Sequence, residues 1–264
     1  MKKHPFIRLF LVWLSVISIA TSCTEKIDLK LNNSEPQLVI EANMSNKPGP
    51  YTVILSKSRL YYENNAFTGV SGAQIILSDN AGTIDTLTEI TAGFYQTNFI
   101  QGTIGRTYQL EVSSEGTIYR ASCTMPAAVS IDSVIVREET GFNGELEKDA
   151  RVYFTDPAGI ENFYRIIGYK NEVPSSGANI HRDRLWDGKQ RNYGVPSGDI
   201  ETGDTLIANL LSIDARVYQF FNEFNESSGF AQPAAPATPN SMYTPSALGY
   251  FSAHAISADT ILIP

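Results

Sequence analysis

The chain has 264 residues, with 20 Lys and Arg against 28 Asp and Glu, a net charge of −8, two cysteines and three histidines. Removing residues 1–22 takes away Lys2, Lys3 and Arg8 and none of the 28 acidic residues, so the charge moves from −8 to −11. That sign excludes nucleic acid and anionic lipid headgroups as electrostatic partners, and so few cysteines exclude a disulfide-stapled scaffold.

Location is written in the first stretch. Lys2, Lys3 and Arg8 precede the apolar run Leu9 to Ala20, and Ala20-Thr21-Ser22 leads into Cys23. A basic head, a short apolar middle and a small-residue cut site make a secretory signal peptide. Cysteine directly after the cut predicts a lipoprotein signal over residues 1–22, with Cys23 acylated and the chain tethered to a membrane by lipid. The simpler reading is an ordinary signal with an incidental cysteine. A transmembrane helix is disfavoured, because spanning takes roughly 20 apolar residues. At about 0.8 kcal/mol per buried methylene, several acyl chains hold firmly where a single one is marginal. Cys123, left without a partner, lies in the strand-like run 117–123 and is expected as a buried small hydrophobe.

Residues 23–36 are polar and read as a tether. From Gln37 short β-branched runs alternate with turn residues, which predicts an all-β fold beginning with an immunoglobulin-like β-sandwich over 37–126. Leu38–Ile40, Tyr51–Leu55, Ala73–Leu77, Ile84–Leu87, Gly93–Tyr95, Thr107–Val112 and Thr117–Cys123 are its candidate strands. Val39, Val53, Leu55, Ile75, Leu77, Tyr95, Tyr108 and Leu110 are expected in its core. Asp79-Asn80-Ala81-Gly82 and Ser114-Glu115-Gly116 have the chemistry of tight hairpins.

Pro126 ends a strand by lacking a donor N–H and marks a hinge to a second β-rich domain over 127–264. Ile131–Val136, Ala150–Thr155 and Asn162–Lys170 are its strands; in the last, Phe163, Arg165, Ile167 and Tyr169 share one face, Tyr164 and Ile166 the other. Asp187-Gly188 predicts a hairpin tip. One helix is expected near 213–225, capped by Ser212, with Ile213, Val217, Phe220, Phe221 and Phe224 at helical spacing and buried on the second domain. The run 230–246 carries four prolines and reads as an extended connection, and Thr260–Ile263 as a terminal strand.

Leu38-Val39-Ile40-Glu41-Ala42, Val70-Ser71-Gly72-Ala73, Gly93-Phe94-Tyr95, Gly105-Arg106-Thr107-Tyr108, Ile131-Asp132-Ser133 and Ala247-Leu248-Gly249-Tyr250-Phe251, in that order behind a signal ending in Ser-Cys, resemble the Bacteroidota outer-membrane lipoproteins grouped as a domain of unknown function (DUF4249). The resemblance covers nearly the whole chain after the signal. It implies an immunoglobulin-like first domain, a second β-rich domain, and an outer-membrane setting often shared with a TonB-dependent transporter. The family has no established catalytic residues, so it implies none here.

Beyond the signal only His181 and His254 remain, without a Gly-x-Ser-x-Gly elbow or His-Glu-x-x-His spacing, so neither a catalytic triad nor a zinc site is expected. Asp183, Asp187, Asp199, Glu201 and Asp204 could offer oxygens to Ca²⁺, yet no Asp-x-Asp-x-Asp-Gly loop exists, and they are expected as solvated loop charges. Neither cofactor nor metal is expected. Aromatic loop residues are the candidate binding surface: Tyr61, Tyr62 and Phe67 in the first domain, Trp186 and Tyr193 in the second. The expectation is a non-catalytic accessory or binding protein. The competing readings are an extracytoplasmic hydrolase acting on polysaccharide or peptide, and an adhesin or pilus-type subunit.

Overall fold

A computed structural model describes residues 35–59, 67–140, 144–184, 187–228 and 238–264. The expected signal, Cys23 and nearly all of the tether lie outside the described residues, as do Tyr61, Tyr62 and Trp186. Pro36–Pro264 forms one compact unit.

The first eight strands are β1 (Leu38–Ser45), β2 (Thr52–Lys57), β3 (Gln74–Asp79), β4 (Ile84–Thr86), β5 (Thr88–Thr91), β6 (Phe94–Gln96), β7 (Thr107–Ser114) and β8 (Thr117–Thr124). They lie side by side as β1-β2-β6-β5 in one sheet and β4-β3-β7-β8 in another. Lettered in chain order, these are A-B-E-D and C′-C-F-G, the connectivity of the immunoglobulin sandwich. Both sheets turn apolar faces to one core, Ile40, Val53, Leu55 and Tyr95 from the first, Ile75, Leu77, Tyr108 and Leu110 from the second. Tyr108, near the start of β7, reaches back along the chain: its hydroxyl accepts from Thr103 N at 2.6 Å and donates to Gln101 O at 3.2 Å. That is the tyrosine corner of such sandwiches.

The predicted hairpins form. Gly82 and Gly116 take positive φ, and Asp79 Oδ1 accepts from Ala81 N and Thr83 N at 3.0 and 2.9 Å, closing the β3–β4 turn. One core assignment is corrected. Leu38, Ile40, Ala42 and Met44 are buried, whereas Val39 is only partly so. Three consecutive aliphatics carry no parity of their own, and a shift of one residue turns a strand inside out.

Further on come β9 (Ile131–Thr140), β10 (Leu146–Thr155), β11 (Phe163–Lys170), β12 (Val173–Pro174), β13 (Asn179–Arg182), β14 (Gln190–Gly194), β15 (Thr205–Ser212), the helix α1 (Ala215–Ser228) and β16 (Leu248–Leu262). β9, β10 and β14 form a three-stranded sheet. It shares a second core with β11 and β15, in which Val152, Phe154, Tyr164, Ile166, Leu206 and Leu210 are buried.

The sheets join the expected domains 37–126 and 127–264. β16 pairs in parallel with β1 through its first half, Val39 opposite Leu248 to Ser45 opposite His254, and antiparallel with β15 through its second, Ser212 opposite Ala255 to Thr205 opposite Leu262. One sheet therefore runs from β12 through β16 and β1 to β5. Two cores exist, but a single long strand belongs to both. It covers the edge that β1 would otherwise expose. The terminal strand expected at 260–263 is the end of this 15-residue element.

Two further expectations change. Asp214, not Ser212, caps α1: its Oδ1 accepts from Arg216 N at 2.8 Å, while Ser212 Oγ accepts from Val129 N at 3.3 Å. The stripe is buried only in part: Ile213, Val217 and Phe221 join the core, of the first sandwich rather than the second, while Phe220 is half-buried and Phe224, expected inside, is exposed. Phe221 and Phe220 meet Tyr250 of β16 at 4.9 and 5.4 Å. Asp187-Gly188 turns the chain, with Gly188 at φ 70. It does not join a hairpin, because β13 pairs with β11 while β14 pairs with β10.

Candidate functional site

Where β10 ends and β11 begins, the chain returns through the segment after β13 and builds a polar centre on an aromatic floor. Asp156 follows the last residue of β10 and is 1% exposed; Asp183 follows β13 and is 5% exposed; Asp187 sits in the turn before β14. One carboxylate oxygen from each lies within 4.8 Å of the others. Tyr164 of β11 donates its hydroxyl to Asp156 Oδ1 at 2.5 Å, and Gly188 N donates to Oδ2 at 3.2 Å. Asn162 N donates to Asp183 Oδ2 at 3.2 Å, and Gly159 N to Asp187 Oδ1 at 2.7 Å.

Burial, with the neighbouring charges of Asp183 and Asp187, pushes the Asp156 carboxyl upward against the lowering effect of Tyr164 and Gly188. The Tyr164 phenol is driven well above its ordinary value by burial and by Asp156, and so stays a donor. Such a centre can share a proton among its acids or surround a hard cation with oxygen ligands.

The aromatic floor absorbs one predicted binding residue. Tyr193 stacks on His181 with ring centres 3.6 Å apart and packs 6.0 Å from Phe154. Its hydroxyl accepts from Arg191 Nε at 3.1 Å. Burial and the Arg191 charge lower His181 to about 4, so the imidazole is neutral. Tyr193 is half-buried in this arrangement. Phe67 is 50% exposed and lies 5.2 Å from Phe94, the one member of the predicted aromatic surface that the described residues leave open.

The five loop acids separate. Asp183 is buried rather than solvated, and Asp187 joins it beside Asp156. Asp199 and Glu201 line a different groove with Glu139, Glu147 and Lys148. Asp204 accepts from Asn171 Nδ2 at 2.7 Å and from Glu201 N at 2.9 Å. Sequence reasoning missed Asp156 and Tyr164. The only local hint was an acid placed directly between an apolar strand and a proline, Phe154-Thr155-Asp156-Pro157.

Other reactive side chains sit inside the framework. Cys123 Sγ accepts from Ala253 N at 3.2 Å, and burial pushes its thiol up to about 12. His254, 6% exposed, shares a 2.9 Å hydrogen bond between Nδ1 and Ser252 Oγ. Burial and then the Arg165 charge lower it to about 4.

A family model described as a domain of unknown function (DUF4249) matches residues 24–259. The chain belongs to that family. The match spans both cores and the strand they share, so the double sandwich described above is the fold of the DUF4249 segment of this chain. No curated protein matches the sequence. Among solved structures it is similar to a two fibronectin type-III domain segment from chicken tenascin, at 14% identity over 69% of this chain and 93% of that one, with a TM-score of 0.23. No helix of the described residues is long and apolar enough to cross a membrane.

Proposed function

We propose that this member of the DUF4249 family is a non-catalytic lipoprotein of the outer membrane, anchored through Cys23, that holds a ligand or a partner protein. A TonB-dependent transporter is the partner that the family resemblance implies. The observation that carries the non-catalytic reading is how the side chains able to do chemistry are engaged. Cys123 is buried between strands with its thiol raised, His254 and Ser252 are buried against each other, and His181 is covered by Tyr193. A nucleophile needs an adjacent base and an open approach; each of these groups instead holds the framework together.

Among the described residues the carboxyl group best suited to the hydrolase alternative is Asp156, raised as a general acid requires, but that side chain is covered. The adhesin alternative needs a free tail to donate, whereas Ile261 and Leu262 pair with Leu206 and Thr205 of the same chain.

The test is purification of tagged chain from detergent-solubilised outer membrane, with intact-mass measurement of the product. The expected result is a chain beginning at an acylated Cys23 that brings down a specific outer-membrane transporter. An unacylated, freely soluble product, or recovery of no specific partner, overturns the reading.

A further inference from the structure

A cavity of about 400 Å³ opens where the stretch after β8, the turn between β10 and β11, and the junction of β15 with α1 meet. Pro126, Val129, Pro157, Ile160, Phe163 and Ile213 give it apolar walls. The charged side chains lining it are Glu161 and Asp214, with no Lys, Arg or His among them. Two buried carboxyl groups stand behind the wall. Asn162, another lining residue, is hydrogen-bonded through its backbone N–H to the buried Asp183, and the buried Asp156 immediately precedes Pro157. Among the described residues Asp214 Oδ2 accepts one long bond, 3.4 Å from Thr124 N, which leaves it able to accept from a ligand. At the mouth, Ile160 is 63% exposed beside Glu161 and offers a shoulder on which a backbone could rest.

An apolar sleeve whose charged lining is carboxylate alone fits a group that is itself apolar along its length and cationic at its end. Lysine and arginine have that form, with methylene stems that pack on apolar surface while the head seeks charge or water. We propose that the cavity receives a lysine or arginine side chain presented by a partner protein, its methylenes against Ile160, Phe163 and Ile213 and its cationic head towards Glu161 and Asp214. The volume lies within the range of ordinary binding pockets, and opposite charge across a contact selects the partner and its register. This rests on the partner-binding reading above and adds the chemistry of the contact.

The full chain in detergent, with isotope-labelled isoleucine methyl groups, is titrated with blocked tripeptides Ala-Arg-Ala and Ala-Lys-Ala and with their citrulline and norleucine counterparts. The charged peptides are expected to move the Ile160 and Ile213 resonances saturably, and the uncharged ones to bind at least about tenfold more weakly. E161Q and D214N should each weaken the charged peptides about three- to tenfold; asparagine at 214 keeps the helix cap. Equal binding of the norleucine peptide, or no movement of either resonance, overturns the proposal. So does capture of a transporter undiminished in the double variant, an outcome that leaves the partner-binding reading standing. Peptide binding with no transporter recovered sinks that earlier reading alone.

Discussion

The Asp85 carboxylate is fully buried and accepts the backbone N–H groups of Asn98, Phe99 and Ile100 at 2.9, 2.9 and 3.0 Å. Burial works to raise this acid, but those donors and the Asn98 side chain outweigh it and hold the carboxyl below its ordinary value. Asp85→Ala strands three donors and should cost about 3 kcal/mol in urea denaturation. Because the folded pKa is depressed, the stabilisation is present above the ordinary carboxylate range and is lost as pH falls below it. His254 works in a higher window. Its folded value of about 4 lies below the usual 6.5, so stability is complete above pH 6.5 and falls as pH drops towards 4, by up to about 3 kcal/mol. Denaturant titrations at pH 7, 6 and 5 should therefore show a shallower loss in His254→Asn than in the parent chain; equal slopes would assign the acid sensitivity to other groups. His181 keeps its own share of the slope in that variant. None of this was legible in the sequence, where Asp85 and His254 look like any acid and any histidine in a strand. What buries them is contributed from positions that no local pattern names.

Strand order shows what local pattern can and cannot carry. Alternation and turn chemistry placed seven of the first eight strands, because each hairpin is decided by a handful of adjacent residues, as in Asp79 to Thr83, but missed β5, whose burial does not alternate cleanly. The helix was legible from its aromatic spacing, but its cap was not: Ser212 and Asp214 are both good caps, and Val129 N claims the serine. Only the end of β16 was read as a strand, at Thr260–Ile263, because Ser252 and His254 interrupt the apolar character of the rest, although both are buried. The carboxylate centre was unreadable for a related reason, since Asp156 and Asp183 meet only after β11 and β13 pair. Gly249 supports β16 at a point where the backbone leaves no room. It has φ 93, and a Cβ there would stand 2.1 Å from Ile40 O. Gly249→Ala should cost at least about 2 kcal/mol, read as a lowered denaturation midpoint; a smaller effect would mean that β1 and β16 can separate cheaply.

Across the whole molecule, two cores joined by one strand should behave as one cooperative body. Leu55 lies in the first core and Val152 in the second, both fully buried. Leu55→Ala should cost about 2–5 kcal/mol, and Val152→Ala somewhat less. In calorimetry each should lower a single shared transition; two separating transitions would return the molecule to the pair of independent domains that the sequence suggested. The parallel seam of β16 on β1 also governs when this molecule can be finished. Asn43 and Tyr250, hydrogen-bonded across it, are 207 positions apart, and contacts of such long sequence separation form late and slowly. β1 must wait for residues 248–254 to be synthesised before this edge can pair. A product cut short before residue 248 would keep an open, pairing-prone border along β1, so the fold discriminates against chains that lack β16.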